Sequence, residues 1–191
     1  GCFKDFGYWE RDVFGDLEYT SLTESFDLNI YEDEEFWNIA HLDGWMIFQS
    51  LSNIYLLNLK DKTHKIIKSD AQIFKMWNFE DTIFFQKTGV GLFKIENGNV
   101  VLVNNSEELK INQIIDVFKV GKQKLILTDN AGIFALNNNK LQKWSIDSRL
   151  NITNLSFYSA KQLKDETLLL GTISNGLFHL DKNGDLIENY S

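Results

Sequence analysis

The amino-acid sequence predicts an all-β fold, a partial β-propeller built from four-stranded antiparallel blades. Three observations lead to this prediction: short strand-like runs separated by turn residues, a long-period internal repeat, and the complete absence of proline. Proline interrupts the hydrogen-bond ladder of a sheet, so its absence suits a chain that is mostly strand. We therefore expect about four complete blades and an N-terminal half blade.

The repeat can be counted on one landmark, a small residue that opens the third strand of each unit and precedes an apolar and aromatic pair. The landmarks are Gly7, Asn53, Gly91, Gly132 and Gly176, at separations of 46, 38, 41 and 44 residues. A unit of roughly 40–45 residues with four short strands is typical of a propeller blade. Such a sheet is apolar on both faces and buries them by stacking on its neighbours.

The chain is predicted to form one domain, residues 1–191, whose units follow in order. They are a half blade at 1–21, a connector at 22–35, and blades at about 36–70, 72–103, 111–145 and 155–190. The half blade holds two strands, 6–11 and 17–21, which correspond to the third and fourth strands of a unit. Because a closed propeller completes every blade, we expect the chain to be a piece of a larger propeller.

Turn residues place the strands within the units. In the last blade, Asn183-Gly184 separates two strand-like runs, and Asn-Gly is a strong hairpin signal. Residues 107–113 are the one helical candidate. The predicted strands are 36–42, 45–50, 54–59 and 64–68, then 72–78, 82–87, 91–96 and 99–103, and in the last blade 166–171, 176–180 and 186–190.

Composition limits the classes of function. The chain of 191 residues is 43% hydrophobic with a formal net charge of −8 and a pI of about 4.9, which argues against a nucleic-acid partner because phosphate binding needs a basic surface. A single cysteine, Cys2, excludes an intrachain disulfide. No apolar run reaches the roughly 18 residues of a membrane span, so we expect no membrane contact by this segment.

No motif predicts catalysis, a cofactor or a metal. The run from Asp181 to Asp185 resembles the start of a calcium loop but lacks its closing glutamate, so a hairpin turn is favoured. The acidic residues 32–35 and the three histidines show no ligand spacing and are interpreted as a solvated loop and as strand residues. No nucleophile elbow or phosphate-binding loop occurs. The sequence thus predicts a non-enzymatic protein.

Two sets of residues are candidates for ligand binding. Trp37 and Trp77 lie in innermost predicted strands, which line the channel of a propeller. The turns between second and third strands share one rim, where convergent polar groups could orient a ligand. Those polar candidates are Gln49, Lys87, Asp129 and Asn175. The alternatives are packing between blades for the tryptophans and plain solvated turns for the polar residues.

The residues also resemble a known family. The segments GCFKDFGYWERDVFGDLEYTSL and FWNIAHLDGWMIFQSLSNIYLL, with blades ending in GLF-x-I/L before an Asn-Gly turn, resemble the periplasmic two-component-regulator propellers of Bacteroidetes. Such propellers precede a triple-tyrosine domain, a membrane helix and either a hybrid histidine kinase or a LuxR-type helix-turn-helix output. The FGYW and IFQS segments look closest to the helix-turn-helix branch.

The resemblance implies an extracytoplasmic sensor in signal transduction and transcription regulation. Its implied partners are a glycan or other small ligand, the remaining blades and downstream domains of the same polypeptide, and a second copy in a homodimer. Two alternatives stay open, a protein-interaction scaffold and a propeller lyase or hydrolase.

Overall fold

The computed structural model describes residues 2–150 and 155–190, and these residues are all-β, as predicted. They contain nineteen strands and two short helices, Leu22–Ser25 (α1) and Glu107–Ile111 (α2). The second helix lies within the predicted helical candidate. No helix within these ranges is long and apolar enough to cross a membrane.

The strands group into an N-terminal part and four blades. The N-terminal part has β1 (Cys2–Phe3), β2 (Gly7–Arg11) and β3 (Leu17–Ser21). Blade I has β4 (Glu35–Leu42), β5 (Trp45–Ser50), β6 (Asn53–Asn58) and β7 (Thr63–Lys68). Blade II has β8 (Ile73–Phe79), β9 (Thr82–Lys87), β10 (Gly91–Glu96) and β11 (Asn99–Asn104). Blade III has β12 (Ile114–Val120), β13 (Gln123–Thr128), β14 (Gly132–Asn137) and β15 (Lys140–Lys143). Blade IV has β16 (Phe157–Gln162), β17 (Leu168–Thr172), β18 (Leu177–Leu180) and β19 (Leu186–Tyr190).

Each blade is an antiparallel sheet whose four strands pair in sequence order, which confirms the predicted fold class. The first strands of blades I to IV contact one another in chain order and are the inner strands of the assembly. Strands β2 and β3 form a separate two-stranded sheet, the N-terminal hairpin, as the half-blade prediction required. One feature was not predicted: β1 adds a fifth strand to blade I, with Cys2 opposite Phe36.

Two of the landmark glycines are explained by a close approach of backbone atoms. A Cβ at Gly91 would lie 2.4 Å from the carbonyl oxygen of Asn104, and a Cβ at Gly7 would lie 2.1 Å from that of Thr20. Both oxygens belong to the paired fourth strand, so no side chain fits at either position. In blade I the landmark is Asn53, whose side chain serves another purpose described below.

Four apolar cores hold the successive parts of the chain together. The residues of each second strand alternate between neighbours: Ile47 packs towards blade II, whereas Phe48 packs in the core that contains Phe6 and the connector. Phe84 and Phe85 divide in the same way between blades III and I. Because both faces of a blade are buried, its strands are continuously apolar rather than alternating. The fourth core joins blades III and IV and includes Leu125.

The connector at 22–35 is more ordered than a solvated acidic loop. It contains α1, and Glu34 is only 5% exposed. The Glu34 carboxylate accepts hydrogen bonds from Ser50 Oγ at 2.5 Å, Asn53 Nδ2 at 2.7 Å and Tyr55 Oη at 2.7 Å. Burial, together with the hydrogen bond and negative charge of Glu34, raises the pKa of Tyr55. The expectation of a solvated loop is therefore wrong at Glu34, which ties the connector to blade I.

Candidate binding rim

One end of the blades carries both the starts of the inner strands and the turns between second and third strands. The first residue of each inner strand pairs with the last residue of the second strand, as Phe36 does with Ser50 and Phe157 with Thr172. We call this end of the blades the rim. The rim is where the polar turn candidates were predicted to lie.

Every inner strand has a β-bulge immediately after its first residue. The register shift leaves Trp37 unpaired with strand two in blade I, Ile115 in blade III and Tyr158 in blade IV. In blade II the bulge spans Phe74 and Lys75. Bulges re-aim side chains and recur beside binding sites. Trp37 is 54% exposed and Tyr158 is 76% exposed, so two large aromatic side chains stand free at the rim.

A charged cluster lies on the two inner strands between those that carry these aromatic residues. Lys75 Nζ donates a hydrogen bond of 2.7 Å to the carbonyl oxygen of Ile115, which links the inner strands of blades II and III. Asp116 follows that residue and is half-buried, and its Oδ1 accepts the N–H of Val117 at 2.8 Å. Burial raises the pKa of Asp116, and the positive charges of Lys75 and Lys161 oppose this rise. A perturbed carboxyl flanked by lysines marks a candidate functional site.

Sequence reasoning missed Lys75, Asp116 and Tyr158. A signal was available for the first two, because each is a charged residue near the start of a mostly apolar inner strand. The bulge itself was not visible in the sequence. Side chains alternate between the two faces of a regular strand, so a prediction that lacks the bulge assigns these side chains to the wrong face.

The structure puts four of the predicted ligand residues at the rim. Trp37 is one of them. Lys87 Nζ lies 2.8 Å from Asp70 Oδ1, and Asn175 is exposed in its turn. Asp129 Oδ1 accepts the N–H groups of Gln113 at 3.0 Å and Asn130 at 2.9 Å, so one of its oxygens holds the turn itself.

The other two predicted residues are buried between blades, which corrects their expected positions. Gln49 is 0% exposed, and its Nε2 donates hydrogen bonds to the carbonyl oxygens of Ile73 at 3.1 Å and Ser50 at 2.6 Å. Trp77 is 7% exposed and packs in the core between blades II and III rather than lining a channel. Both side chains are buried because they lie on a strand face that a neighbouring blade covers.

Gln49 has a structural counterpart in the next blade. Gln86 Nε2 donates to the carbonyl oxygens of Leu109 at 2.8 Å and Asn112 at 2.7 Å, and its Oε1 accepts the N–H of Ile114 at 2.8 Å. Both glutamines therefore hold the start of the following inner strand. The second-strand position that Gln49 and Gln86 share therefore joins each blade to the next, beneath the rim.

The DKNGD segment forms a turn. Asp181 Oδ1 accepts the N–H groups of Asn183 at 2.8 Å and Asp185 at 2.9 Å. These hydrogen bonds, together with other backbone interactions of its turn, lower the pKa of Asp181 despite the opposing effect of burial. Within residues 2–150 and 155–190, no group of three acidic, histidine or cysteine side chains is arranged to hold a metal ion.

The pH dependence of stability tests whether burying the charged Asp116 carboxylate destabilises the fold. A carboxyl whose folded pKa is raised stabilises the fold below its unfolded pKa and loses that contribution as the pH rises through the folded pKa. Asp116→Asn, which does not titrate, is therefore expected to raise the midpoint of thermal unfolding at pH 7. The gain should shrink as the pH falls towards about 4. Asp33→Asn at an exposed position corrects for the change in net charge, and equal gains at both pH values would contradict this account.

Comparison with known proteins gives the fold class first. No family model and no curated protein matches the chain. Among solved structures, the WD40 β-propeller domain of Doa1 is similar with a TM-score of 0.68 and 12% identity, covering 98% of this chain and 62% of that one. The chain is thus a β-propeller of four-stranded blades.

Two further neighbours are extracellular domains of hybrid two component systems from B. thetaiotaomicron. The BT3049 domain has a TM-score of 0.59 and 16% identity over 85% of this chain and 23% of that chain. The BT4673 domain has a TM-score of 0.58 and 14% identity over 80% of this chain and 21% of that chain. This chain therefore spans less than a quarter of the length of either domain. At these identities the likeness establishes the fold.

Proposed function

We propose that the chain is a ligand-sensing segment of the extracytoplasmic propeller of a bacterial signal-transduction regulator. It works in the periplasm without enzymatic activity, and its ligand is a glycan or another small molecule. One observation carries the proposal: inner-strand bulges expose Trp37 and Tyr158 at the rim, and the Lys75 and Asp116 cluster lies on the two inner strands between them. Aromatic surface with a few placed polar groups is the usual make-up of a ligand site.

The rim suits a sugar ring for a physical reason. An aromatic face accepts the apolar face of the ring, while Lys75 and Asp116 supply one donor and one acceptor for hydroxyl groups. Small polar ligands with an apolar face therefore suit the rim best. The regulator neighbours and the sequence resemblance favour a sensor, in which ligand occupancy is passed to later domains and, in the regulator, to a kinase or DNA-binding output.

Removing the rim tryptophan is the direct test. Trp37→Ala is expected to weaken binding of a glycan hit about tenfold, the effect of losing one aromatic stacking contact. A thermal-shift screen against a glycan panel identifies the hit, and titration calorimetry compares the variants. Trp9→Ala is the matched control because Trp9 is 64% exposed but lies in the N-terminal hairpin. Equal loss in both variants would refute a rim site.

A protein-interaction scaffold is the second candidate. It is favoured by exposed apolar residues away from the rim, including Phe14 and Ile187. The WD40 domain among the neighbours has the same architecture. The absence of a shift with every sugar, together with capture of a defined protein partner by the intact chain, would favour the scaffold.

A further inference from the structure

A cleft of about 550 Å³ opens between blades I and II at the end opposite the rim. Its floor is apolar and is formed by Trp45, Ile47 and Leu56 from blade I and by Ile83 and Ile95 from blade II. These residues belong to, or pack against, the core that joins the two blades. The cleft has the size of a small-ligand site and the apolar lining typical of one.

The repeat shows why the cleft is open. Ile83 is the second residue of β9, and its counterpart in β13 of blade III is Lys124. Lys124 Nζ reaches back over blade II, 4.8 Å from the ring centroid of Phe79 and 4.4 Å from that of Phe84. The ion pair of Lys119 with Glu80, at 2.5 Å, lies across the same interface. Blade II has the shorter isoleucine at this position, which leaves the equivalent space between blades I and II unfilled.

The two ends of the cleft carry opposite charges. Asp43 and Asp81 lie in the turns that follow the inner strands β4 and β8. Lys65 lies on the outer strand β7, and its Nζ donates only to the neutral Asn99 Oδ1 at 3.3 Å. Among residues 2–150 and 155–190, none of these three charged groups is in an ion pair within 4.0 Å. The remaining lysine, Lys94, is paired with Glu96 at 2.8 Å.

The spacing of these charges limits the ligand. Residues Ile47, Leu56 and Lys65 pair across β5, β6 and β7, so two strand spacings, about 10 Å, separate Lys65 from the strand that follows Asp43. Three residues of extended peptide span about 10 Å. A free amino acid is too short to reach both ends of the cleft.

We propose that the cleft binds a short apolar peptide of about three residues with free ends. Its ammonium group lies against Asp43 and Asp81, its carboxylate against Lys65, and its side chains on Trp45 and the aliphatic floor. The site is separate from the rim and does not depend on the proposed sensor function.

The test uses the tripeptide Leu-Leu-Leu and two blocked forms, one N-acetylated and one C-amidated, in titration calorimetry with the intact chain. Each block is expected to weaken binding about two- to fivefold, because each removes one partly exposed charge pair. Lys65→Gln should weaken the free peptide by the same factor and should abolish the effect of amidation. Lys68→Gln, on the same strand but outside the cleft, is the matched control and should bind normally.

A second variant tests the cleft itself. Ile83→Lys introduces the residue found at this position in blade III and is expected to abolish binding by filling the space. Thermal unfolding checks that the Ile83→Lys variant is folded. If that variant does not fold, Asp81→Asn, a substitution at an exposed position of the cleft, is tested in its place. Equal affinity for free and blocked peptides, no binding of the free peptide, or sensitivity to amidation alone would overturn the proposal. Trp37→Ala should leave peptide binding unchanged, so failure at the rim and failure at the cleft are distinguished.

Discussion

Replacing Glu34 by alanine is expected to lower the free energy of unfolding by about 3 kcal/mol. The substitution leaves the donors of Ser50, Asn53 and Tyr55 without their shared acceptor in a buried site. A buried donor left unsatisfied costs about 1–3 kcal/mol, and water admitted to the vacated space offsets part of the sum. Chemical denaturation with the intact chain measures the change.

The control for this prediction is Glu32→Ala in the same acidic run. Glu32 is exposed and contacts only Lys4 in a surface ion pair at 3.2 Å. Surface pairs contribute about 0–1 kcal/mol, so this variant should unfold within that margin of the parent. Equal effects of the two substitutions would mean that the Glu34 network does not hold the connector to blade I.

Replacing Gln86 by alanine is expected to lower the free energy of unfolding by about 3 kcal/mol. Its amide satisfies two carbonyl oxygens, of Leu109 and Asn112, and accepts the N–H of Ile114. All three backbone groups belong to the segment that leads into blade III. Because neighbouring blades stabilise one another through their interfaces, loosening of this segment should also broaden the unfolding transition.

Gln72→Ala provides the comparison, because Gln72 is exposed and its side chain has no hydrogen bond among the described residues. Hydrogen exchange resolves where the change occurs. Faster exchange is expected in β12 and at the β11–β12 connection after Gln86→Ala, while β4 to β7 keep their protection. A loss spread evenly over all four blades would show that Gln86 acts on general stability and not on one interface.

The fold could be predicted because its cause is local and repeated. Glycine is required at Gly7 and Gly91 by the backbone oxygen beside each, and a small residue recurs at the same position in every unit, with Asn53 in blade I. Hairpin turns such as Asn183-Gly184 then fix the strand ends. Each of these signals lies within about forty residues of sequence and needs no knowledge of neighbouring blades.

The site was harder to predict because it depends on which face of a strand a residue occupies. Gln49 ends a strand and is polar, yet it lies in the core and holds the next blade. Glu34 is one of four adjacent acidic residues. It differs from the others only because three donors from blade I, which are distant in sequence, hydrogen-bond to its carboxylate. Trp37 was found as an inner-strand aromatic, but Tyr158 depended on a bulge that sequence periodicity does not show. The ligand roles of Trp37, Lys87, Asp129 and Asn175 stay predictions.

Backbone chemical-shift mapping of the intact chain with a glycan hit tests the rim most directly. We expect shifts concentrated at the four bulges, residues 37, 74–75, 115 and 158, and at the adjacent residues 116 and 159, with loss of those shifts in Trp37→Ala. Shifts confined to the cleft between blades I and II or to the exposed faces of blade IV would contradict it. So would a complete absence of shifts with every sugar in the panel.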